Sequence, residues 1–372
     1  MLVSRTRKQR KDCPVCYEIM HMDRMIARIN TAGLAEIIDE MFFPYDLWLE
    51  EDDDLDTRIN NLSVFYHWCA SRVLSLDRKY AKEIMNSLGV SQSVTDQDRA
   101  QIALSYRCAS LTDVFWVRKQ GECVSFEQIN LYANPLNEAL VELSLRGRQM
   151  TVTNQEIAQD LSTKGCFPKA WVRRSNGFWL LKDGGNDAIK RELIASRICQ
   201  CFDFPQVIYQ KSFYDGEPVT ESRLVTSRRY SMVSKMAFDI FACNQELDTL
   251  EVCRELDPIT YYGMNIIDYL VGNTDRHPEN WGFLVDNQTN ECVSLYPLMD
   301  FNQSFLSYDS IHGAGCQTVL PERRTQRQAA IEAVQQIGLR QIAEFPEDLF
   351  DEAPEWEVMF AKRYQELVRA ER

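Results

Sequence analysis

The chain has 372 residues, a formal net charge of -14, 45% hydrophobic residues and 11% aromatic residues. That apolar content excludes a disordered chain, and the acidic balance argues against a general nucleic-acid binder, whose affinity comes from clustered Lys and Arg. The length suits two domains, or one large domain with an extension.

Only the opening "SRTRKQRKD" is basic, so residues 1–20 read as a mobile basic tail with no direct nucleic-acid role expected. No apolar run reaches roughly eighteen residues and none follows the basic start, so neither a membrane span nor a secretory signal is expected. A cytoplasmic protein with reduced thiols is therefore expected from its 12 cysteines. Cys13 and Cys16, in "CPVC", have zinc-pair spacing. A structural zinc site wants about four ligands, and His21 is the one further candidate nearby. Plain thiols in a frayed terminus are the simpler expectation.

Residues 21–150 read as mainly helical, with apolar residues at three- and four-residue spacing in "VFYHWCASRVLSL" and "YAKEIMNSLG". The acidic run "EEDDDLD" reads as a solvated face or a helix start. From "DVFWVRKQ" onward a short apolar strand or turn region precedes a helix opened near Asn134 and Pro135.

The texture then changes. "PKAWVRRSNGFWLLK" spells two short strands joined by a polar turn, and "NDAIKRELIASRICQCF" a helix with Ile189, Leu193, Ile194 and Ile198 on one face. Strand-like "QVIYQKSFYDGEPVTESRLVTS" follows, turning at Asp215-Gly216. Beyond about residue 228 helices dominate, interrupted by "YLVGNTDRHPENWGFL" and "SLYPLMDFNQSF". A small β-rich segment with one helix, then a larger helical one, is the order of a two-lobed kinase. The expected fold is therefore α+β and protein-kinase-like, with an N-lobe over 151–227, a C-lobe over 228–372 and a mainly helical N-terminal extension.

Phosphoryl transfer needs a carboxylate facing the acceptor hydroxyl, an amide and a carboxylate for Mg²⁺, and a lysine on the nucleotide phosphates. Asp275 and Asn280 have the catalytic-loop spacing, and Asp300 in "LMDFN" is suited to the downstream metal site. A hairpin turning at Asn287 to Asn290 would return Asp300 to the side of Asn280. Upstream, Lys182 ends "FWLLK", and Glu192 on the following helix can hold it as an ion pair. Lys190 and Arg191 flank that glutamate and could compete for it, so the pairing depends on the helix register. No G-x-G-x-x-G is present; the phosphate-covering turn would be Ser175, Asn176 and Gly177, with Arg173 or Arg174 adding charge.

"YLVGNTDRHPENWGFL" followed by "LMDFNQSF" resembles the catalytic and metal-binding segments of HipA-type serine/threonine kinases, and more distantly those of phosphatidylinositol 3-/4-kinases. The resemblance covers residues 168–345. It implies Asp275 as catalytic base, Asn280 and Asp300 as Mg²⁺ ligands, and Lys182 as the phosphate-binding lysine. His277 is shared with the lipid kinases, and two roles stay open for it: contact with the γ-phosphate, or support of the loop. Asn302 stands where Asp-Phe-Gly has glycine. The first 150 residues match no identified part of the family, so an antitoxin or regulatory partner is an open expectation. The implied activity is ATP- and Mg-dependent phosphorylation of Ser or Thr in an unknown protein substrate or in the chain itself. The alternatives are a phosphatidylinositol-type lipid kinase, a catalytically quiet kinase-fold binding module or toxin–antitoxin component, and an N-terminal activity regulated by the kinase fold.

Overall fold

The computed structural model describes residues 13–73, 95–134, 144–145 and 167–372; the helices expected over "YAKEIMNSLG" and after Asn134 lie outside them. The N-terminal region departs from the expectation. Strands β1 (Cys16–His21), β2 (Arg24–Asn30), β3 (Ala35–Ile37) and β4 (Phe115–Lys119) form an antiparallel sheet in the order β3-β2-β1-β4. The reading of 21–150 as mainly helical lacked this sheet, although helices still hold more of the described residues there than strands do. The physical reason lies in β1, where Tyr17 and Ile19 join one core and Met20 joins another. A strand covered on both faces shows no polar–apolar alternation, so its period of two is lost from the sequence.

Helices α1 (Leu55–Ser71) and α2 (Asp96–Ser105) pack against each other over this sheet. The acidic run does open a helix: Asp54 caps α1, accepting from the backbone N–H groups of Asp56 and Thr57. Cys16 is a strand residue, so it does not lie in a frayed tail, and His21 sits at the far end of the same strand between the rings of Phe42 and Phe115. Burial lowers the His21 pKa to about 4, which keeps it neutral in this apolar setting. Among the described residues no group of three His, Cys, Asp or Glu could hold a metal ion.

A second antiparallel sheet has the order β5-β6-β8-β7, with β5 at Lys169–Arg174, β6 at Gly177–Lys182, β7 at Tyr209–Tyr214 and β8 at Glu217–Arg223. Both expected hairpins are present, β5–β6 turning at Ser175-Asn176 and β7–β8 at Asp215-Gly216. Helix α3 (Phe126–Ile129) is a single turn, and α4 (Asn186–Cys199) lies against β7 and β8. Its buried face includes Ile189, Ile194 and Ile198, and also Glu192.

A third sheet, β11-β10-β9, joins the expected hairpin of β10 (Gly282–Asp286) and β11 (Glu291–Leu295) to an unforeseen strand, β9 (Tyr230–Ser234). Around it lie α5 (Lys235–Asn244), α6 (Thr249–Leu256), α7 (Pro258–Val271), α8 (Gln326–Ile337) and α9 (Pro354–Glu371). Buried α7 is the centre of this core, packed by α4, α6, α8 and α9. It starts with Asp257 capping Thr260 ahead of Pro258, and ends at Gly272 in the left-handed conformation. Among the described residues no helix is long and apolar enough to cross a membrane.

The N-terminal sheet region is docked on the rest of the chain. Tyr45 donates its hydroxyl to the Asn290 carbonyl (2.8 Å), and Asn290 donates back to the carbonyls of Met41 (3.0 Å) and Phe43 (2.9 Å). Tyr45 also packs against Phe238 and Phe241 of α5.

Candidate functional site

Three elements far apart in the sequence bring ionisable groups together at one point. Lys182, the last residue of β6, places Nζ 2.9 Å from Glu192 Oε1 on α4 and 3.0 Å from Asp300 Oδ1, beyond β11. Lys190 and Arg191 do not compete for Glu192: Lys190 donates to the Glu352 carbonyl and Arg191 to that of Asn302. Thr220 on β8 donates to the other Glu192 oxygen at 2.5 Å.

Lys182 and Glu192 are buried at 6% and 1% exposure, so pairing is obligatory. Burial opposes the charge on Lys182, but Asp300 and Glu192 outweigh it and hold the ammonium's pKa well above its ordinary value. Burial likewise opposes ionisation of Asp300, yet Lys182 and then Lys169 carry its pKa below the usual carboxylate value. Lys169 was not singled out from the sequence. It sits on β5 directly opposite Lys182, and residues paired across a sheet share a face.

The loop after α7 carries the remaining candidates. Asn280 is buried and donates its side-chain amide to the Asp275 carbonyl at 2.7 Å, which orients the side chain and leaves Oδ1 as its acceptor atom. Asp275 is half-buried; burial pushes its carboxyl pKa up, with His277 opposing and Asp300 reinforcing. His277 accepts the Glu279 backbone N–H on Nδ1 at 3.2 Å, which puts the proton of a neutral ring on Nε2.

The sequence reading missed what holds this loop. Arg276 is buried at 2% exposure, forks onto both oxygens of Asp268 in α7 at 2.9 Å each, and donates to the carbonyls of Asn280 and Met299. One side chain therefore holds the backbone at Asn280 and at Met299, the residue before Asp300. The available signal was Asp268 itself, a carboxylate inside the apolar run "MNIIDYLVG" that must find a partner. Asp300 adopts φ +60°, and its N–H bonds the Tyr209 hydroxyl at 3.0 Å. Phe301 behind it is fully buried.

Lys182, His277, Asn280 and Asp300 all line one cavity of about 220 Å³, with Lys169 and Tyr209 beside them. Asp275 is not among the lining residues, and neither are Ser175, Asn176 and Gly177. The last three form the tip of the β5–β6 hairpin, where Asn176 is held by the Trp179 indole N–H and by Arg223. The flanking arginines are already committed: Arg174 pairs with Glu221 at 2.6 Å, and Arg173 binds the carbonyls of Ala133 and Asn134.

No protein-family model matches the chain, and no curated protein matches it in sequence. Among solved structures it is similar to HipA of the Shewanella oneidensis MR-1 toxin–antitoxin system, solved with HipB and operator DNA. That likeness has 12% identity and a TM-score of 0.53, and it covers 95% of this chain and 96% of the other. The chain also matches the Helicobacter pylori proinflammatory kinase CtkA at 14% identity and a TM-score of 0.43, over 55% of this chain and 92% of that one. The first likeness shows a HipA-like kinase fold. Because it spans 95% of the chain, it also reaches into the N-terminal region, where no counterpart was expected.

Proposed function

We propose that the chain is an ATP-dependent phosphotransferase that moves the γ-phosphoryl group onto a Ser or Thr hydroxyl of a protein. In this reading the β5–β8 sheet with α4 is the small lobe, the helical region from β9 onward is the large lobe, and the cavity is the nucleotide cleft. The observation that carries the reading is the bridge from Lys182 to both Glu192 and Asp300, closed across 118 residues of sequence. A lysine held this way is a rigid cation for phosphate oxygens.

Asn280 and Asp300 would hold Mg²⁺, which neutralises the charge developing on the transferred group. The donor set fits: Mg²⁺ takes one or two protein oxygens and completes its shell with water and substrate phosphates. Lys182 uses only Oδ1 of Asp300, and Asn280 keeps its carbonyl oxygen. Asp275 would orient the acceptor hydroxyl and take its proton as the new P–O bond forms and the bond to the β-phosphate oxygen breaks, releasing ADP. Its raised pKa moves it toward the range where a carboxylate is an effective base. A proton on His277 Nε2 suits a phosphate oxygen, and Nδ1 at the same time braces the loop.

The test is calorimetric binding of ATP with and without Mg²⁺, beside Asp300→Asn. Magnesium-dependent binding that weakens in the variant is expected. Binding indifferent to both would contradict the assignment and leave a kinase-fold scaffold.

A further inference from the structure

The N-terminal region shares the cavity. Ser110, Thr112 and Asp113, together with Arg72 and Tyr45, line the same space as Lys182 and Asp300. Their position within it follows from strand geometry. Lys182 closes β6, and Leu180 and Phe178 step back along the strand to the level where the Leu224 N–H bonds the Phe178 carbonyl. Four residues of strand span roughly 13 Å, about the reach from a triphosphate to its base. At that far level the loop crosses the connection between β8 and β9 and reaches β9 itself: the Leu111 carbonyl accepts from the Thr226 hydroxyl (2.5 Å) in the connection, and the Thr112 carbonyl from the Met232 N–H (2.8 Å) in β9. Trp171, Leu180, Leu224 and Met232 give this end of the cavity an apolar lining suited to a planar ring.

The loop is rigidly set. Arg72, buried at 8% exposure, holds Asp113 with two bonds of 2.9 and 2.6 Å and binds the carbonyls of Cys108 and Phe115. The Ser110 and Thr112 hydroxyls lie 2.7 Å apart, and Ser110 Oγ accepts the Thr112 N–H. Two hydroxyls held in this way form a small polar edge on an otherwise apolar slot.

We propose that the loop of Ser110, Thr112 and Asp113 is the wall of the nucleotide cleft that contacts the adenine base, with Arg72 as its positioning residue. The N-terminal region is then part of the nucleotide site. This rests on the kinase reading and assigns the base end of the same cleft.

Thr112→Trp fills the base end and leaves the phosphate end alone. Calorimetry of the full chain with Mg-ATP and with Mg-tripolyphosphate should show ATP affinity falling at least about tenfold and tripolyphosphate affinity held within about twofold. In the unmodified protein, Mg-ATP should slow amide exchange over residues 108–115. Unchanged ATP affinity in the variant, equal loss of both ligands, or no change in exchange over 108–115 would each overturn the placement. If the unmodified chain bound no Mg-ATP, the kinase reading would fall, and this inference with it.

Discussion

Arg276 and Asp268 form a bidentate ion pair, 2.9 Å at each arm, inside the core eight residues apart. Because Arg276 also bonds the carbonyls of Asn280 and Met299, the pair ties α7 to the backbone of one proposed metal ligand, Asn280, and to the residue preceding the other, Asp300. Arg276→Met should destabilise the protein by ~3–5 kcal/mol, the usual cost of stranding one partner of a buried pair. The double variant Arg276→Met, Asp268→Leu should recover much of that stability and none of the phosphotransfer, since the two carbonyls still lack their donor. Urea unfolding and ATP turnover on the same samples separate these effects; joint recovery would show that the pair serves stability alone.

Asp275 has the opposite character, a carboxylate held at a site that disfavours its charge. Its pKa is raised above the ordinary 3.8, so the native state binds its proton more tightly than the unfolded chain does. Its ionisation therefore costs stability as pH rises through that window, and the full cost is present at neutral pH. Asp275→Asn should melt at the same temperature or higher at pH 7, with any gain vanishing as pH falls below the unfolded value. Transfer activity of the unmodified protein should show an acid limb above that of an ordinary aspartate. A variant that melts lower at pH 7 would contradict this account.

Lys182→Met leaves the buried carboxylate of Glu192 and the partly buried one of Asp300 without the cation between them. A loss of ~3–5 kcal/mol is expected near neutral pH. The gap to the unmodified protein should narrow on acidification, because protonation relieves the stranded charges. Thermal melts across pH would show this; a gap independent of pH would mean that the lysine contributes packing alone.

Gly282 opens β10 two residues after Asn280, and a Cβ there would stand 2.1 Å from the Val233 carbonyl oxygen and 2.7 Å from Ser234 Cα. Both are backbone atoms of β9 or its end, so the strand must move. Gly282→Ala should cost ~1–3 kcal/mol by overpacking, and it should weaken Mg-ATP binding by shifting Asn280. A variant with unchanged melting would contradict the close β9–β10 approach.

Local signals made much of this legible. The hairpins at Ser175-Asn176, Asp215-Gly216 and Asn287–Asn290 each lie between short strands, and their turn residues located them. The Lys182–Glu192 pair was legible because a strand end and the next helix leave little freedom. Strand β1 was not, because it pairs with β4 about 100 residues later and is covered on both faces. Its turn to β2 uses Met22 at φ +50° where a glycine would have announced a hairpin. The role of Arg276 stayed hidden because "DRHPEN" has turn composition, and only the fold shows that its arginine points inward.

Transfer of label from γ-labelled Mg-ATP, followed in the unmodified chain beside Asp275→Ala, shows whether this cleft transfers phosphate. Label should enter the chain itself or an added protein, and fall by about 10²–10⁴ in the variant. Label in an added phosphoinositide would redirect the acceptor to lipid. Equal label in both proteins, or none in the unmodified chain despite tight Mg-ATP binding, would contradict Asp275 as the base and the cleft as a phosphotransferase site.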